Sequence, residues 1–443
     1  MKGQPCVGNP SGPGFAQTLT LGAFMSMALP CTLGLTSAAV QSLHPKRRLW
    51  ADQDPITLRR FCGPLADELY LVCRPRELAA DVAIQTESLY QALLDVLSSE
   101  GVGPDSLVTE TVFFRKIEDD FRIVRDARRR VIERTGLASR GPATTFIGES
   151  PLGDEARVVV AAVAVAPHRS QTPSTFELTR RLRCPCEACS EGSHAMAIRL
   201  GDQTHVHTGN VFGQGGSAFD ETFDMFCQAE ALLGEAGMTF RDVIRTWIHL
   251  RDIDRDYHAL NRARREFFGR RGIDRRPAST AVQGIPFGDV HDFSMSFFAV
   301  KSPRPLEAPR MSTPMLNEPW TYGADFSRGL RLVDANKTAL HVSGTASIDE
   351  NGKSVHLGDF ERQAERMLRN IATLLEEQGA SFDDLVSAVT YLKRPGDAQA
   401  LHEIFRDRGF DGFPCAIVEA PLCRPELLCE TEAVAILPLP GGA

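Results

Sequence analysis

The chain has no surplus of positive charge: across 443 residues, 49 Lys and Arg stand against 57 Asp and Glu, a formal net charge of −8. Such a balance repels polyanions and argues against nucleic acid as a partner. The one locally basic run, Arg125 to Arg130 (RDARRR), reads as the solvated face of an amphipathic helix. A paired cysteine framework is also missing. The eleven cysteines are odd in number and scattered, several (Cys73, Cys415, Cys429) in apolar strand-like context, which argues against a disulfide scaffold and for a reducing, cytoplasmic setting. Cys184, Cys186 and Cys189, with His194, have the spacing to seed a zinc site. No second C-x2-C or H-x3-H half completes it, so an irregular linker is expected there, with no metal and no organic cofactor.

Long hydrophobic runs are confined to the beginning. Residues 3–44 carry no charged side chain, and the stretch Phe15 to Val40 is long enough to raise a signal peptide or an anchor. It is broken by Gly22, Pro30 and Gly34 and preceded by Lys2 alone. Residues 1–54 therefore read as a disordered leader, or as an overextended start ahead of Met25 or Met27. No other segment is apolar and long enough to span a bilayer, so no membrane partner is expected.

What the chain does have is repetition at intervals of roughly 140 residues. Each copy carries an amphipathic helix, a strand, a second helix, a short Pro-containing strand and a closing apolar strand. The first helices are predicted at 86–100, 226–236 and 363–378, and the strands after them at 106–115, 242–251 and 384–393. The second helices are predicted at 126–135, 257–270 and 397–408, followed by Gly141-Pro-Ala-Thr-Thr145, Arg276-Pro-Ala-Ser-Thr280 and Phe413-Pro-Cys-Ala-Ile417. This is the order of an α+β sandwich with helices on one face of a sheet. Polar and Pro-rich stretches place domains at 55–167, 193–302 and 316–440, with linkers at 168–192 and 303–315. Copies that cannot bury both sheet faces alone should pack together as an internal pseudo-trimer.

The element order, and above all His341-Val-Ser-Gly-Thr-Ala-Ser347 followed by Gln363 and Asn370, resembles the Rid (YjgF) family, small trimeric proteins that hydrolyse reactive enamines and imines at clefts between subunits. The family uses an arginine in its Pro-Ala-Arg-Thr-like strand to hold a substrate carboxylate, a task suited to guanidinium. The matching positions here are Thr144, Ser279 and Cys415 or Ala416, and none is arginine.

The second and third copies further resemble the chorismatase family, which is built of Rid-like domains. The resemblance rests on Arg245-Thr-Trp-Ile-His249, Tyr322-Gly, Phe326-Ser-Arg328-Gly, Val342-Ser-Gly-Thr-Ala-Ser347 and Cys423-Arg-Pro-Glu-Leu-Leu-Cys-Glu430-Thr-Glu432. It implies that Glu430 protonates the enolpyruvyl methylene of chorismate. It also implies that Gly344 and Cys423 mark the type that forms 3-hydroxybenzoate, a position where alanine goes with a dihydroxycyclohexadiene acid. Arg328 and Lys393 would hold carboxylates, Tyr322 would form an aromatic wall, and Ser343, Gly344, Thr345, Arg424, Glu432 and Arg245 would complete the binding set. Glu318, where a tyrosine is expected, departs from the pattern.

The residues support part of this independently. Leu427 to Ile436 reads as a strand, and period-two alternation puts Glu430 and Glu432 on one face, away from Cys429 and Thr431. Paired carboxylates in an apolar strand raise one another's pKa toward the range of a general acid. The alternative is that both simply neutralise arginines. The closing strands of the other copies, Arg157 to Val163 and Phe293 to Phe297, carry no carboxylate, so the first copy is expected to be structural. Three functions remain open: a chorismatase-type enzyme, a Rid-like imine hydrolase, and a non-catalytic metabolite-binding protein. All act on a small carboxylate, in a monomer or small homo-oligomer.

Overall fold

A computed structural model describes residues 55–135, 141–153, 155–168, 175–180, 193–288 and 290–439, with backbone alone at 175–180 and 193–194. The leader and the Cys184–Cys189 cluster lie outside the described residues. The elements run β1 (Ile56–Cys62), β2 (Ala66–Cys73), α1 (Val82–Ser99), β3 (Leu107–Phe114), α2 (Ile117–Glu133), β4 (Ala143–Gly148), β5 (Ser150–Pro151) and β6 (Val158–Pro167). Then come β7 (Thr175–Arg180), β8 (Ser193–Leu200), β9 (Gln203–Thr208), α3 (Ala218–Glu235), β10 (Val243–Leu250), α4 (Ile253–Arg271), β11 (Ala278–Gln283), β12 (Ile285–Pro286) and β13 (Phe293–Lys301). The last stretch holds β14 (Gly329–Val333), β15 (Thr338–Ala346), α5 (Phe360–Glu376), β16 (Leu385–Leu392), α6 (Ala398–Asp407), β17 (Cys415–Glu419) and β18 (Cys429–Leu437). The fold is mixed α+β. No helix among the described residues is long and apolar enough to cross a membrane.

The strands form three six-stranded sheets, ordered β1-β2-β6-β3-β4-β12, β11-β10-β13-β9-β8-β7 and β14-β15-β18-β16-β17-β5. Two short strands belong to a sheet other than that of their neighbours in the chain. Ile285 pairs with Gly148, tying β12 to the first sheet, and Val418 pairs with Pro151, tying β5 to the third. Each sheet buries one face under its pair of helices. In the second, Phe226, Phe240, Phe267 and Phe268 interlock, the closest rings with centroids 5.2 Å apart; burying each such ring contributes about 1.5–3 kcal/mol.

Several helices begin earlier than the hydrophobic pattern predicts, because a polar cap precedes the first periodic residue. Asp81, Ser217, Asp252 and Asp359 each accept a hydrogen bond from the backbone N–H three residues on, closing the first turn. Both stretches predicted as linkers are partly ordered. β7 adds to the second sheet beside β8, and Met311, fully buried, donates its N–H to the Gly329 carbonyl at the edge of the third. The basic run of α2 is not all solvated either: Arg128 is half-buried and paired with Glu110.

Candidate functional site

The site forms where the second sheet meets the third. β15 and β18 pair antiparallel, and their register shifts between Val342 and Thr345. Ser343 and Gly344 occupy this bulge, a device that re-aims backbone beside functional sites. Strand β11 lies against it. The Ser279 N–H donates to Ser343 Oγ (2.9 Å), Ser343 Oγ donates to the Ser327 carbonyl (2.6 Å), and the Gly344 N–H donates to Thr280 Oγ1 (3.0 Å). Thr345 Oγ1 returns to the Ser343 carbonyl (2.8 Å). The hydroxyls of Ser343, Thr280 and Thr345 thus hold the bulge. Gly344 is demanded by its neighbour rather than by torsion: a Cβ there would overlap Glu430 Oε1 and lie 3.1 Å from Thr280 Cγ2.

Glu430 and Glu432 leave the same face of β18, while Cys429 enters the core and Thr431 bonds Thr390 (2.8 Å) on the other. Their environments differ. Glu432 accepts from Arg245 Nη2 (2.7 Å) and from the Trp247 indole (2.6 Å), and Arg245 stacks over Trp247 at 5.2 Å. Arg245 also donates to Thr280, so it braces the bulge instead of reaching outward. Glu430 is buried and has no ion pair among the described residues. Burial and the Glu432 charge push its carboxyl up to about 8, against the pull of Arg245, Arg328 and Arg424. A carboxyl so placed is protonated at neutral pH.

Three guanidinium groups of this region have no carboxylate within ion-pair distance among the described residues, and two of them, Arg328 and Arg424, act on the Glu430 charge. Arg328, 2% exposed, donates Nε to the Asn317 carbonyl (2.9 Å) and lies over the rings of Tyr322 (5.5 Å) and Phe326 (5.9 Å). Arg424 lies over Tyr322 (4.9 Å) and donates to the Gly352 carbonyl (2.8 Å). Arg264, from α4 and 2% exposed, donates to Asn261 Oδ1 (2.6 Å) and Ser279 Oγ (3.3 Å), and its Nε has no partner. Burial pulls Arg264 below the usual guanidinium range. Buried cations without counter-charge are costly, and an entering carboxylate offsets that cost. Glu318 lies near Arg328 but is half-buried, with its own carboxyl pushed up by desolvation.

Two expected residues take other places. Burial and the Glu430 charge push the Cys423 thiol up to about 12, and the Tyr257 side chain hydrogen-bonds it, so it is a neutral wall and not a thiolate. Lys393 is not brought to the cluster; its ammonium donates to the Pro425 carbonyl. The segment carrying Cys423 and Arg424 is held by Gln363, which accepts from the Leu428 N–H (2.9 Å) and donates to the carbonyls of Glu426 (3.0 Å) and His356 (3.2 Å). Among the described residues no group of three or more His, Cys, Asp or Glu could hold a metal ion.

The register also settles the strand that lacks an arginine. Glu110 pairs with Thr144, Thr246 with Ser279 and Ala388 with Cys415, so Cys415 and not Ala416 is the third counterpart. Opposite Ser279, the guanidinium arrives from helix α4 as Arg264. Sequence reasoning missed Arg264, Tyr257, Thr280 and Trp247. Only Arg264 left a signal: Leu260, Arg264 and Phe268 recur every four residues, placing a cation on an apolar helix face.

The endoribonuclease L-PSP family model matches residues 199–286 and 323–437. A RutC family protein of Pyrococcus abyssi is 32% identical over 97 residues, 22% of this chain and 76% of that one. The 3-hydroxybenzoate synthase of Streptomyces hygroscopicus is 28% identical over 232 residues, 46% of this chain and 65% of that protein. A crystal structure of a chorismatase covers 75% of this chain and 94% of its own with a TM-score of 0.55 at 16% identity, a likeness of fold. With its bulged Ser-Gly-Thr strand facing the closing strand of the same sheet, this chain belongs to the Rid/YjgF (L-PSP) family.

Proposed function

We propose that the protein is a chorismatase-type enzyme that divides chorismate into pyruvate and 3-hydroxybenzoate, with Glu430 as general acid. The observation that carries this reading is a buried carboxyl, held near pKa 8, set against Gly344 and beside three arginines that lack carboxylates. Chorismate brings two carboxylates, and Arg264, Arg328 and Arg424 are the cations that receive them. The Glu430 proton goes to the methylene carbon; the ring's adjacent hydroxyl adds to the resulting oxocarbenium-like carbon, and as the ether bond to that carbon and the hydroxyl's own C–O bond to the ring break, pyruvate leaves with that oxygen while the ether oxygen stays on the ring and takes up the hydroxyl's proton. A ring proton then returns to the Glu430 carboxylate as the ring becomes aromatic. Gly344 leaves the space in which the ring meets the acid, with Tyr322 and Cys423 as walls. The similarity to a 3-hydroxybenzoate synthase supports this product. Residues 55–167 are a third, structural copy of the unit, and the three copies form an internal pseudo-trimer.

The test is to incubate purified protein with chorismate and follow pyruvate and 3-hydroxybenzoate. Glu430→Gln should cut kcat by about 10²–10⁴ with substrate binding retained; absence of turnover in the parent protein, or full turnover in the variant, overturns the reading. An imine hydrolase is the second reading, favoured by Arg264 delivering a guanidinium to Ser279. Ammonia released from 2-aminoacrylate, with chorismate untouched, decides for it.

A further inference from the structure

Strands of all three sheets line a cavity of about 180 Å³ in the interior. Its walls are mostly apolar, with Tyr70, Val163, Phe298 and Val389 among them. Set into these walls are polar atoms with no hydrogen-bond partner among the described residues: both ring nitrogens of His341, Nε2 of His205 and Nη1 of Arg245. Burial holds His205 and His341 below the usual imidazole range. A neutral imidazole presents one donor and one acceptor nitrogen. The fixed charges at the cavity are already matched: Lys337 pairs with Glu68 and with Asp334 (3.3 Å), and Arg245 with Glu432 (2.7 Å).

We propose that this cavity is a binding site for an uncharged single-ring phenol, separate from the Glu430 cleft. The size fits, since a cavity of roughly 150 Å³ holds benzene. The chemistry fits as well, because a hydroxyl both donates and accepts and so can satisfy a ring nitrogen of His341, whose two nitrogens have no hydrogen-bond partner among the described residues. Phe298, 5.6 Å from His341 and 4.7 Å from His207 between ring centroids, offers a face to the aromatic ring. A ring carboxylate is excluded on charge grounds: Glu68 and Glu432 line the same space, and no unpaired cation faces it.

Calorimetric titration of the full chain with phenol at pH 8, alone and in the presence of saturating benzoate, tests this. Phenol should bind one saturable site, and benzoate, which the arginines beside Glu430 can take up, should leave the phenol affinity unchanged. Ala161→Phe, which fills the cavity, should abolish phenol binding. His341→Phe, which keeps a ring and removes both nitrogens, should weaken it about tenfold, near the ~1.4 kcal/mol of one hydrogen bond. Three results would overturn the proposal: no saturable binding of phenol, displacement of phenol by benzoate, or phenol affinity unchanged in both variants.

Discussion

Two clefts of this molecule are built on the same plan and reach opposite states. In one, helix α4 brings Arg264 to Ser279 of β11, whose strand partner is Thr246, and the Thr246 hydroxyl bonds Ser279 at 2.9 Å. In the other, helix α2 brings Arg128 to Thr144 of β4 (3.0 Å), whose strand partner is Glu110, and the Thr144 hydroxyl bonds Glu110 at 2.8 Å. A glycine closes on each strand, Gly344 with its N–H on Thr280 and Gly209 against Thr144. The difference is a single carboxylate. Glu110, 1% exposed, takes Arg128 and the Tyr90 hydroxyl (2.9 Å), so that cleft supplies its own anion. Thr246 cannot, and Arg264 is left with no carboxylate within ion-pair distance among the described residues. The closing strands agree: β18 offers Glu430 opposite Tyr391, and β13 offers Ser294 at the matching register opposite His249. One plan thus yields a structural joint or a receptive site according to whether the anion is built in.

Exchanging the two states tests the comparison. Glu110→Thr strips the closed cleft of its anion and leaves the half-buried Arg128 unpaired, which should cost about 1.5–3 kcal/mol of stability, read as a lowered urea midpoint; an unchanged midpoint breaks the comparison. Thr246→Glu installs the anion in the other cleft and should raise KM for a carboxylate substrate roughly 10- to 100-fold, the scale of a lost charge-assisted hydrogen bond, with a smaller change in kcat. The pH profile sharpens the contrast further. Because the folded-state pKa of Glu430 is raised to about 8, its acid form disappears above that pH, and kcat should fall about tenfold per unit there. The linked stability runs the same way: it is complete below the ordinary glutamate value and lost as pH rises through about 8. Glu430→Gln, which cannot ionise, should therefore melt higher than the parent protein at pH 9, while the two converge in acid. The smallest effect is expected from Gly344→Ala, whose methyl displaces the Glu430 carboxyl; it should change the ratio of products from chorismate more than the total rate, as chromatography of the reaction mixture would reveal.

Much of this was open to reading in the chain. The alternation of Cys429-Glu430-Thr431-Glu432 placed both carboxylates on one face, since strand geometry leaves no other choice, and the Ser343-Gly344-Thr345 motif marked the strand that meets them. Which carboxylate would be neutralised was not legible. Glu432 finds Arg245 from another sheet, 187 positions earlier in the chain, and no local pattern encodes such a pairing. Lys393 and Arg264 show the same limit from the other side. Lys393 lies beside the acid in the strand order yet bonds the Pro425 carbonyl, while Arg264 reaches Ser279 from helix α4, far from β18 in the chain.

The sequence by itself determined the repeated order of helices and strands, the faces those elements bury, and the concentration of acidic chemistry in the last closing strand. These follow from periodicity and residue type, which act over a few neighbours. Tertiary structure alone decided which arginines would be matched and which left open, that Glu430 would hold its proton near neutral pH, and that one cleft would be sealed by Glu110. Charge in a protein interior is governed by distance and desolvation, and both are set by contacts between sheets.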